Sequence, residues 1–448
     1  DLGKIRGSAA IFFSRLRWPA HISRRDVSSM HVLIVGAGLM GTTTAWYLRQ
    51  HGVDVTVLDR AEGAGMETSF ANAGMLTPSM ADPWNAPGVL SKLLRWVGKD
   101  DAPMLLRPQA LPSLLGWGIR FMFNSRPARF RKNTLKNVAI AHYSLEQLRS
   151  LRTELALDYD QTLGGTLRAC RDQASLDHAA SLAGFLADHG VEYQVLDRQG
   201  VVRAEPGLRP IAEKLVGGVH YVADESGDAH LFTRGLCDAA RMAGVVFRFG
   251  AKVTGFTRVG DRLNAVQVGD EEIPADAIIL AAGSFTPPLA RMLGLRVPVR
   301  PVKGYSITLP RGDWPDGPRI PVADDHLHAA VTPLGDRIRV AGTAEFAGYD
   351  DRVRPARIRN LLSLLEMIYP EYASRIEPGA AEPWCGFRPM SADGVPILGP
   401  TPIPNLYVNV GQGHLGWTMS AGSGKLVADL VAGASPDLPM NNYSLDRF

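Results

Sequence analysis

Three glycines and one aspartate carry the clearest chemistry in this chain. Gly36, Gly38 and Gly41 form a G-x-G-x-x-G turn between the apolar run His31 to Val35 and a helical pattern, and Asp59 closes the next apolar run, Val53 to Leu58. In that context Gly36 permits a tight turn, Gly38 lets the backbone approach a pyrophosphate, and Gly41 lets the helix pack close to the strand. Leu39 and Met40 open the helix, whose N-terminus offers free N–H groups and a positive dipole end. A carboxylate about 20 residues beyond the turn is what a ribose diol needs as acceptor. Dinucleotide binding follows; the alternative is a glycine-rich turn that binds nothing.

The residues after Asp59 bear on which dinucleotide. Arg60 is followed by the small-residue loop Ala61 to Gly65, then by Glu67, Thr68, Ser69, Phe70, Ala71, Asn72, Ala73, Gly74 and Met75. A nicotinamide enzyme continues with another helix and strand, whereas a loop rich in donors can follow an extended cofactor from its phosphates toward a flavin ring. Asp276 to Ser284 reads as an apolar strand closing on Ala282 and Gly283, small enough to pass an adenosine moiety, and Val253 in the strand-like run Lys252 to Phe256 joins the same cofactor-contacting set. Asn405 to Val410 is another strand, running into Gly411, Gly413, His414, Leu415, Gly416, Trp417 and Thr418 and then a helix. That helix N-terminus could face the electron-rich edge of a reduced flavin.

These segments must be positioned by a large fold, and 448 residues with 46% hydrophobic content suffice for two domains. The expected class is α/β: a Rossmann-like FAD-binding domain from residues 30–80, 231–290 and 400–435, with 81–230 and 291–399 as a substrate domain. In the latter, Arg296 to Leu309 and Arg337 to Thr343 read as strands of an antiparallel sheet, Ala356 to Tyr369 as an amphipathic helix, and Asp224 to Asp228 as a loop. Residues 1–29, with six cations ahead of Met30, read as an extension that is disordered or left by a mis-assigned start; their composition also resembles a transit peptide.

A net charge of +3 gives no case for nucleic acid. No run approaches the ~18 apolar residues of a spanning helix, so the chain reads as soluble or peripheral. Cys170, Cys237 and Cys385 form no Cys-x-x-Cys pair, which argues against disulfides and structural zinc and fits the reducing cytoplasm. His326 and His328 alternate near Asp324 and Asp325, but without nearby cysteine they read as solvated loop residues, and no metal site is expected. From Trp84 to Lys136, aromatic residues (Trp84, Trp96, Trp117, Phe121, Phe123) interleave with cations, and acids are confined to Asp100 and Asp101. Such a stretch suits either peripheral attachment to the inner face of an anionic membrane or a helical cap with solvated charges.

The segments GAGLMG, ETSFANAGM, PVKGYSIT, RVAGTAEFAGYD, GFRPMSADGVPILG and GQGHLGWTMSAGSGKLVADL together resemble the bacterial D-amino acid dehydrogenase family, within the wider D-amino acid oxidase and glycine oxidase group. The resemblance spans about residues 30–435. It implies FAD and the two-domain fold of that group, with the FAD held non-covalently as the reading of Cys385 below expects. It also implies hydride transfer from the Cα of a D-amino acid to flavin N5, with hydrolysis of the imino acid to a 2-oxo acid and ammonia. Electrons would pass to quinone or another non-oxygen acceptor. A flavin oxidase of glycine, sarcosine or D-proline-like imino acids, making hydrogen peroxide, is the near alternative, and a non-catalytic FAD-binding subunit the distant one.

A substrate carboxylate calls for a fixed planar cation, and Arg388 in Trp384 to Met390 matches the arginine of the similar family motif. Tyr305 could donate its hydroxyl to the same carboxylate, close the pocket, or only pack. His414 stands where glycine-oxidase relatives place a second arginine, which leaves open whether it touches substrate or orients the flavin loop. No general base is required, because a neutral amine can expel hydride unaided. Cys385 lies near the position at which sarcosine-oxidase relatives attach flavin, but its spacing to Asp393 is offset by one residue, so a buried neutral thiol is expected.

Overall fold

Alternation along the first strand splits its side chains between two cores. In a computed structural model describing residues 30–89, 104–314, 316–324, 326–377 and 379–448, His31–Val35 pairs in parallel with Asp54–Leu58 on one side and Ala277–Leu280 on the other. Val32 and Ile34 face the helices Leu39–Gln50, Ala229–Met242 and Ser420–Val431. Leu33 and Val35 face the small meander Val253–Val259, Arg262–Val268 and Glu271–Pro274. A strand covered on both faces must be apolar throughout, which is why these segments read as continuous runs. Each such side chain contributes about 1.5–3 kcal/mol by leaving water.

Leu406–Val410 and Val246–Arg248 extend the parallel sheet outward, and Ile397–Pro400 closes one edge antiparallel. The first strand is central, with Asp54–Leu58 on one side and Ala277–Leu280 on the other. At such a switch point the crevice for a ligand opens beyond the carboxyl ends of the strands. Gly36, Asp59, Ala281 to Gly283 and Gly411 to Gly413 all follow those ends.

Among the described residues the second sheet has nine strands, at one end of which Val299–Pro310 lies between Glu382–Ser391 and Arg337–Phe346, antiparallel to both. The sheet is not wholly antiparallel: Val322–Asp324 runs parallel to Thr166–Cys170, and Met104–Leu106 parallel to Arg337–Phe346. The helix Pro355–Ile368 buries Leu361, Leu365 and Ile368 against Ile307 and Val340 of that sheet.

Several expectations change here. Ile397–Pro400, assigned to the substrate side, belongs to the cofactor sheet. The helix Pro127–Glu154, also assigned there, packs on Ser420–Val431, where the Gly422 N–H donates to Ser144 Oγ at 3.0 Å. The Asp224 to Asp228 loop is buried, and its Glu225–Ser226 pairs with Met75–Leu76. Asp324 is buried at the end of its strand and paired with Arg171 at 2.7 Å, while His326 and His328 are exposed as expected. Asp325, residues 1–29 and the part of the aromatic-basic stretch from Lys92 to Asp101 lie outside the described residues. No group of three or more His, Cys, Asp or Glu that could hold a metal occurs among the described residues.

Candidate active site

One cavity of about 470 Å³ runs from the Gly36 turn to Arg388 and is bordered by both sheets. At its first end the turn is obligate glycine. Gly36 has φ +111°, and a Cβ there would stand 2.6 Å from the Ala281 carbonyl oxygen. A Cβ on Gly41 would overlap Gly36 O, so Gly41 supports the turn from behind and does not border the cavity. Gly38 is the N-cap of Leu39–Gln50 and brings no capping side chain, which leaves the approach to the helix N-terminus unobstructed. Leu39 N–H donates to Ser69 Oγ at 3.2 Å, tying the following loop to that terminus.

Asp59 is held at the tip of its strand by two backbone donors, Ala37 N–H at 2.6 Å and Ala61 N–H at 2.8 Å. Burial nevertheless pushes its carboxyl above the usual range. A desolvated carboxylate at a cavity wall gains from further donors, and ribose hydroxyls are of that kind. Arg60 pairs with Glu67 and lies 3.8 Å from the Phe285 ring centroid, forming one rim. The chain of small residues and donors from Gly36 to Gly74 therefore suits an extended dinucleotide.

The loop carrying Thr68 to Met75 is fastened from several sides. Thr68 Oγ1 donates to Phe387 O at 2.8 Å, Ser306 Oγ to Ala71 O at 2.6 Å, and Arg339 Nη1 to Asn72 O at 2.8 Å. Asn72 Oδ1 accepts from Gly74 N–H at 2.9 Å. Ala73, Val253, Ala282, Gly283, Gly413, Leu415, Gly416 and Trp417 also border the cavity. Thr418 does not, because its hydroxyl accepts from Thr77 N–H at 3.0 Å. Leu406–Val410 runs not directly into an α-helix but into a 3-10 turn, Gly413–Leu415; the α-helix begins at Ser420, away from the cavity lining.

Arg388 faces the other end. Strand alternation sets Trp384, Gly386 and Arg388 on the cavity side, and across the ladder Gly304 pairs with Gly386. The guanidinium lies over Gly304: a Cβ there would meet Nη2 at 2.6 Å, and Cζ and Nη1 closer still. Nη1 donates to Thr343 O at 3.3 Å. Thr343 sits in a register shift of the Arg337–Phe346 strand with φ +59°, a left-handed conformation costly for a β-branched residue. No carboxylate pairs with Arg388 among the described residues, and burial alone pulls its pKa to about 10, which still leaves it a cation.

His414 is close by. Its Nε2 lies 3.4 Å from Met80 O, and its ring stacks on Trp84 at 5.3 Å, while Arg388 Cζ is 5.3 Å from the same indole. Burial, aided by Arg388, lowers its pKa to about 4, so the ring is neutral near pH 7.

Three roles were open to Tyr305, and its place in the structure bears on them. It borders the cavity, but its hydroxyl donates at 2.7 Å to Glu345, a fully buried acid that also pairs with Arg107 at 2.5 Å. The hydroxyl proton is thus engaged within the sheet by Glu345. Cys385 points opposite to its cavity-facing neighbours, half-buried, with Sγ 3.0 Å from Asp351 O; burial raises its pKa. Trp84, Met80, Trp384 and Phe285 border the cavity without having been singled out as site residues. Trp384 was accessible through the two-residue period with Arg388; Trp84, read as interfacial, carried no local signal of its place at the cavity.

The model of the family described as "FAD dependent oxidoreductase" matches residues 31–430. D-amino acid dehydrogenase of Granulibacter bethesdensis is 43% identical over 419 residues, 94% of this chain and 100% of its own length. The protein of that name from Methylobacterium radiotolerans is 44% identical over 420 residues, 94% of this chain and 100% of its own. Among solved structures, glycine oxidase from Geobacillus kaustophilus superposes with TM-score 0.74 at 22% identity, over 94% of this chain and 99% of its own. L-proline dehydrogenase from P. horikoshii gives TM-score 0.74 at 16% identity, over 93% and 96%. At such identities the structural likeness speaks for the fold alone. With Gly36, Asp59 and Arg388 disposed along one cavity, and sequence likeness over nearly its whole length, the chain belongs to the FAD dependent oxidoreductase family, alongside the D-amino acid dehydrogenases.

Proposed function

We propose that this protein is an FAD-dependent D-amino acid dehydrogenase in which Arg388 anchors the substrate carboxylate. Bound FAD supplies the acceptor for the two electrons that leave the substrate as its Cα–N bond becomes C=N; water then hydrolyses the imino acid to a 2-oxo acid and ammonia. The observation that carries this reading is the Arg388 guanidinium, which has no carboxylate partner among the described residues, in a largely apolar cavity. Burying a charge without a partner is costly, so a ligand that brings a carboxylate recovers that cost. Neutral His414 adds no second cation there, and it neither competes for the carboxylate nor requires the substrate amine to be charged.

Anaerobic flavin reduction by a panel of D- and L-amino acids tests the reaction. Bleaching by D-amino acids that is lost by at least 30-fold in Arg388→Ala, with FAD retained, is expected from a truncated charge partner worth roughly 2–5 kcal/mol. Near-normal reduction in that variant sinks the assignment. A quinone or another non-oxygen acceptor is the proposed electron sink, and stoichiometric hydrogen peroxide during turnover would instead mark an oxidase.

We further propose peripheral attachment to an anionic membrane through the helix Leu111–Asn124. No helix among the described residues is long and apolar enough to cross a membrane. Trp84 borders the cavity and Trp117 is buried, so of the aromatic residues in this stretch these two do not face a membrane. Instead Leu111, Leu115, Ile119 and Phe123 recur at intervals of four along one exposed stripe, with Leu115 69% and Ile119 72% exposed. Arg126 and Arg129 stack on Phe123, and Arg120, Arg131 and Lys132 are exposed nearby. No acid occurs from Met104 to Leu145. An apolar stripe edged by cations complements an anionic bilayer. Since each cation near such a surface contributes about 1 kcal/mol, neutralising Arg126, Arg129, Arg131 and Lys132 should release the protein from phosphatidylserine-containing vesicles in sedimentation. Failure of the unmodified protein to sediment with them at low salt refutes the proposal.

A further inference from the structure

Arg388 is held by more than its own strand. Gly304 lies beneath the guanidinium, and Thr343, strained at φ +59°, presents a carbonyl to Nη1. These contacts come from the second sheet. The remaining one comes from elsewhere: Trp84, in the loop after the Pro78–Met80 turn, brings its indole 5.3 Å from Arg388 Cζ and stacks on His414 at 5.3 Å with the rings 24° apart. One side chain thus contacts both Arg388 and His414. Its segment is fixed independently. Thr77 N–H donates to Thr418 Oγ1 at 3.0 Å, Ser79 Oγ donates to the buried Asp224 at 2.5 Å, and Met80 O faces His414 Nε2.

We propose that Trp84 is a positioning residue for substrate binding: its indole completes the socket that holds the Arg388 guanidinium and braces His414 beside it. A long arginine side chain in a cavity otherwise samples many rotamers, and each must be frozen out before two parallel hydrogen bonds to a carboxylate can form. An indole at cation–π distance in a desolvated site restricts that freedom and favours the cation electrostatically. The inference rests on the reading that Arg388 receives the carboxylate.

The test uses the FAD-loaded full chain, with propionate as a non-oxidisable carboxylate read from the flavin spectrum and D-alanine as substrate. Trp84→Ala should raise the propionate Kd and the D-alanine KM about tenfold, the 1.4 kcal/mol of a desolvated cation–aromatic contact. kcat should fall less than KM rises, and Trp84→Phe should restore most of the binding. A Kd and KM within twofold of wild type in Trp84→Ala overturn the proposal. If Trp84→Ala does not retain FAD, Trp84→Phe decides: a weaker ring should raise Kd two- to fivefold, and an unchanged Kd overturns it. Arg388→Met separates the two ideas. Propionate binding that survives Arg388→Met defeats the carboxylate reading itself, whereas binding lost there but intact in Trp84→Ala defeats only the role of Trp84.

Discussion

Gly304→Ala is a single methyl aimed at the proposed anchor. Gly304 lies in the interior of Val299–Pro310 without a left-handed φ, so the added Cβ brings no backbone strain, and its paired strands need not move. The new atom would stand 2.6 Å from Arg388 Nη2, with Nη1 and Cζ nearer still. Non-bonded carbon contacts settle near 3.5–4.0 Å, so the guanidinium must retreat by about 1 Å or more. It would also lose its alignment with Thr343 O. Misplacement on that scale costs on the order of 100-fold in kcat/KM. The assay is steady-state oxidation of D-alanine with a soluble redox dye, together with flavin absorbance to establish that FAD is still bound. Gly386→Ala provides the comparison, since the atoms its methyl would meet first belong to the Trp384 ring instead of Arg388. A Gly304→Ala enzyme that keeps its FAD and a KM within twofold of wild type would refute the argument that Arg388 works from this seat.

Two further outcomes follow from the other groups of the cavity. Asp59→Ala removes the acceptor for Ala37 and Ala61 N–H along with the proposed ribose partner, so FAD affinity should drop about 10- to 150-fold for the loss of roughly 1.5–3 kcal/mol, measured by flavin release on dilution; unchanged retention rules that partner out. His414, with its pKa lowered from the usual 6.5 to about 4, binds a proton in the unfolded chain before it does in the folded one. Its contribution is complete above pH 6.5 and is lost as pH falls toward 4, on the order of 3 kcal/mol in all. Buried Asp224, raised to about 7, slopes the opposite way across the same range, so the informative quantity is the difference between wild type and His414→Gln. Denaturant stability of the variant should lose the acid-side decline attributable to His414; parallel curves between pH 4 and 6.5 would show that the ring does not stay neutral.

Where the sequence was legible, backbone and local geometry decided the matter. Val32 to Ile34 and Ile278 to Leu280 are fully buried because a parallel sheet covered on both faces admits no polar alternation. Gly36 is glycine because φ +111° beside Ala281 O admits nothing else. Such constraints act within a few residues and leave a mark that composition and spacing reveal. Arg388 was found through a matching motif, and the two-residue strand period would have added Trp384. What escaped was decided by contacts between distant segments: the Tyr305 hydroxyl by Glu345, 40 residues on, and Asp324 by Arg171, 153 residues back. An aromatic side chain among cations has the same local pattern whether it faces lipid, solvent or an arginine inside the protein.

Trp84 and Phe123 illustrate that ambiguity, since each comes within cation–π range of arginine, yet one borders the cavity and the other is 43% exposed. The physical consequence differs by setting. Around Phe123 the arginines are solvated, and their attraction to a surface should weaken with salt. Around Trp84 the arginine faces the cavity and not the open surface, so added ions should screen it less. Raising ionic strength should therefore detach the protein from anionic vesicles while leaving the KM for D-alanine nearly constant. A KM that climbs in step with detachment, measured on the vesicle-free enzyme, would mean that Arg388 is reached by bulk ions and that the cavity does not exclude solvent as the packing of Trp84, Gly304 and His414 requires.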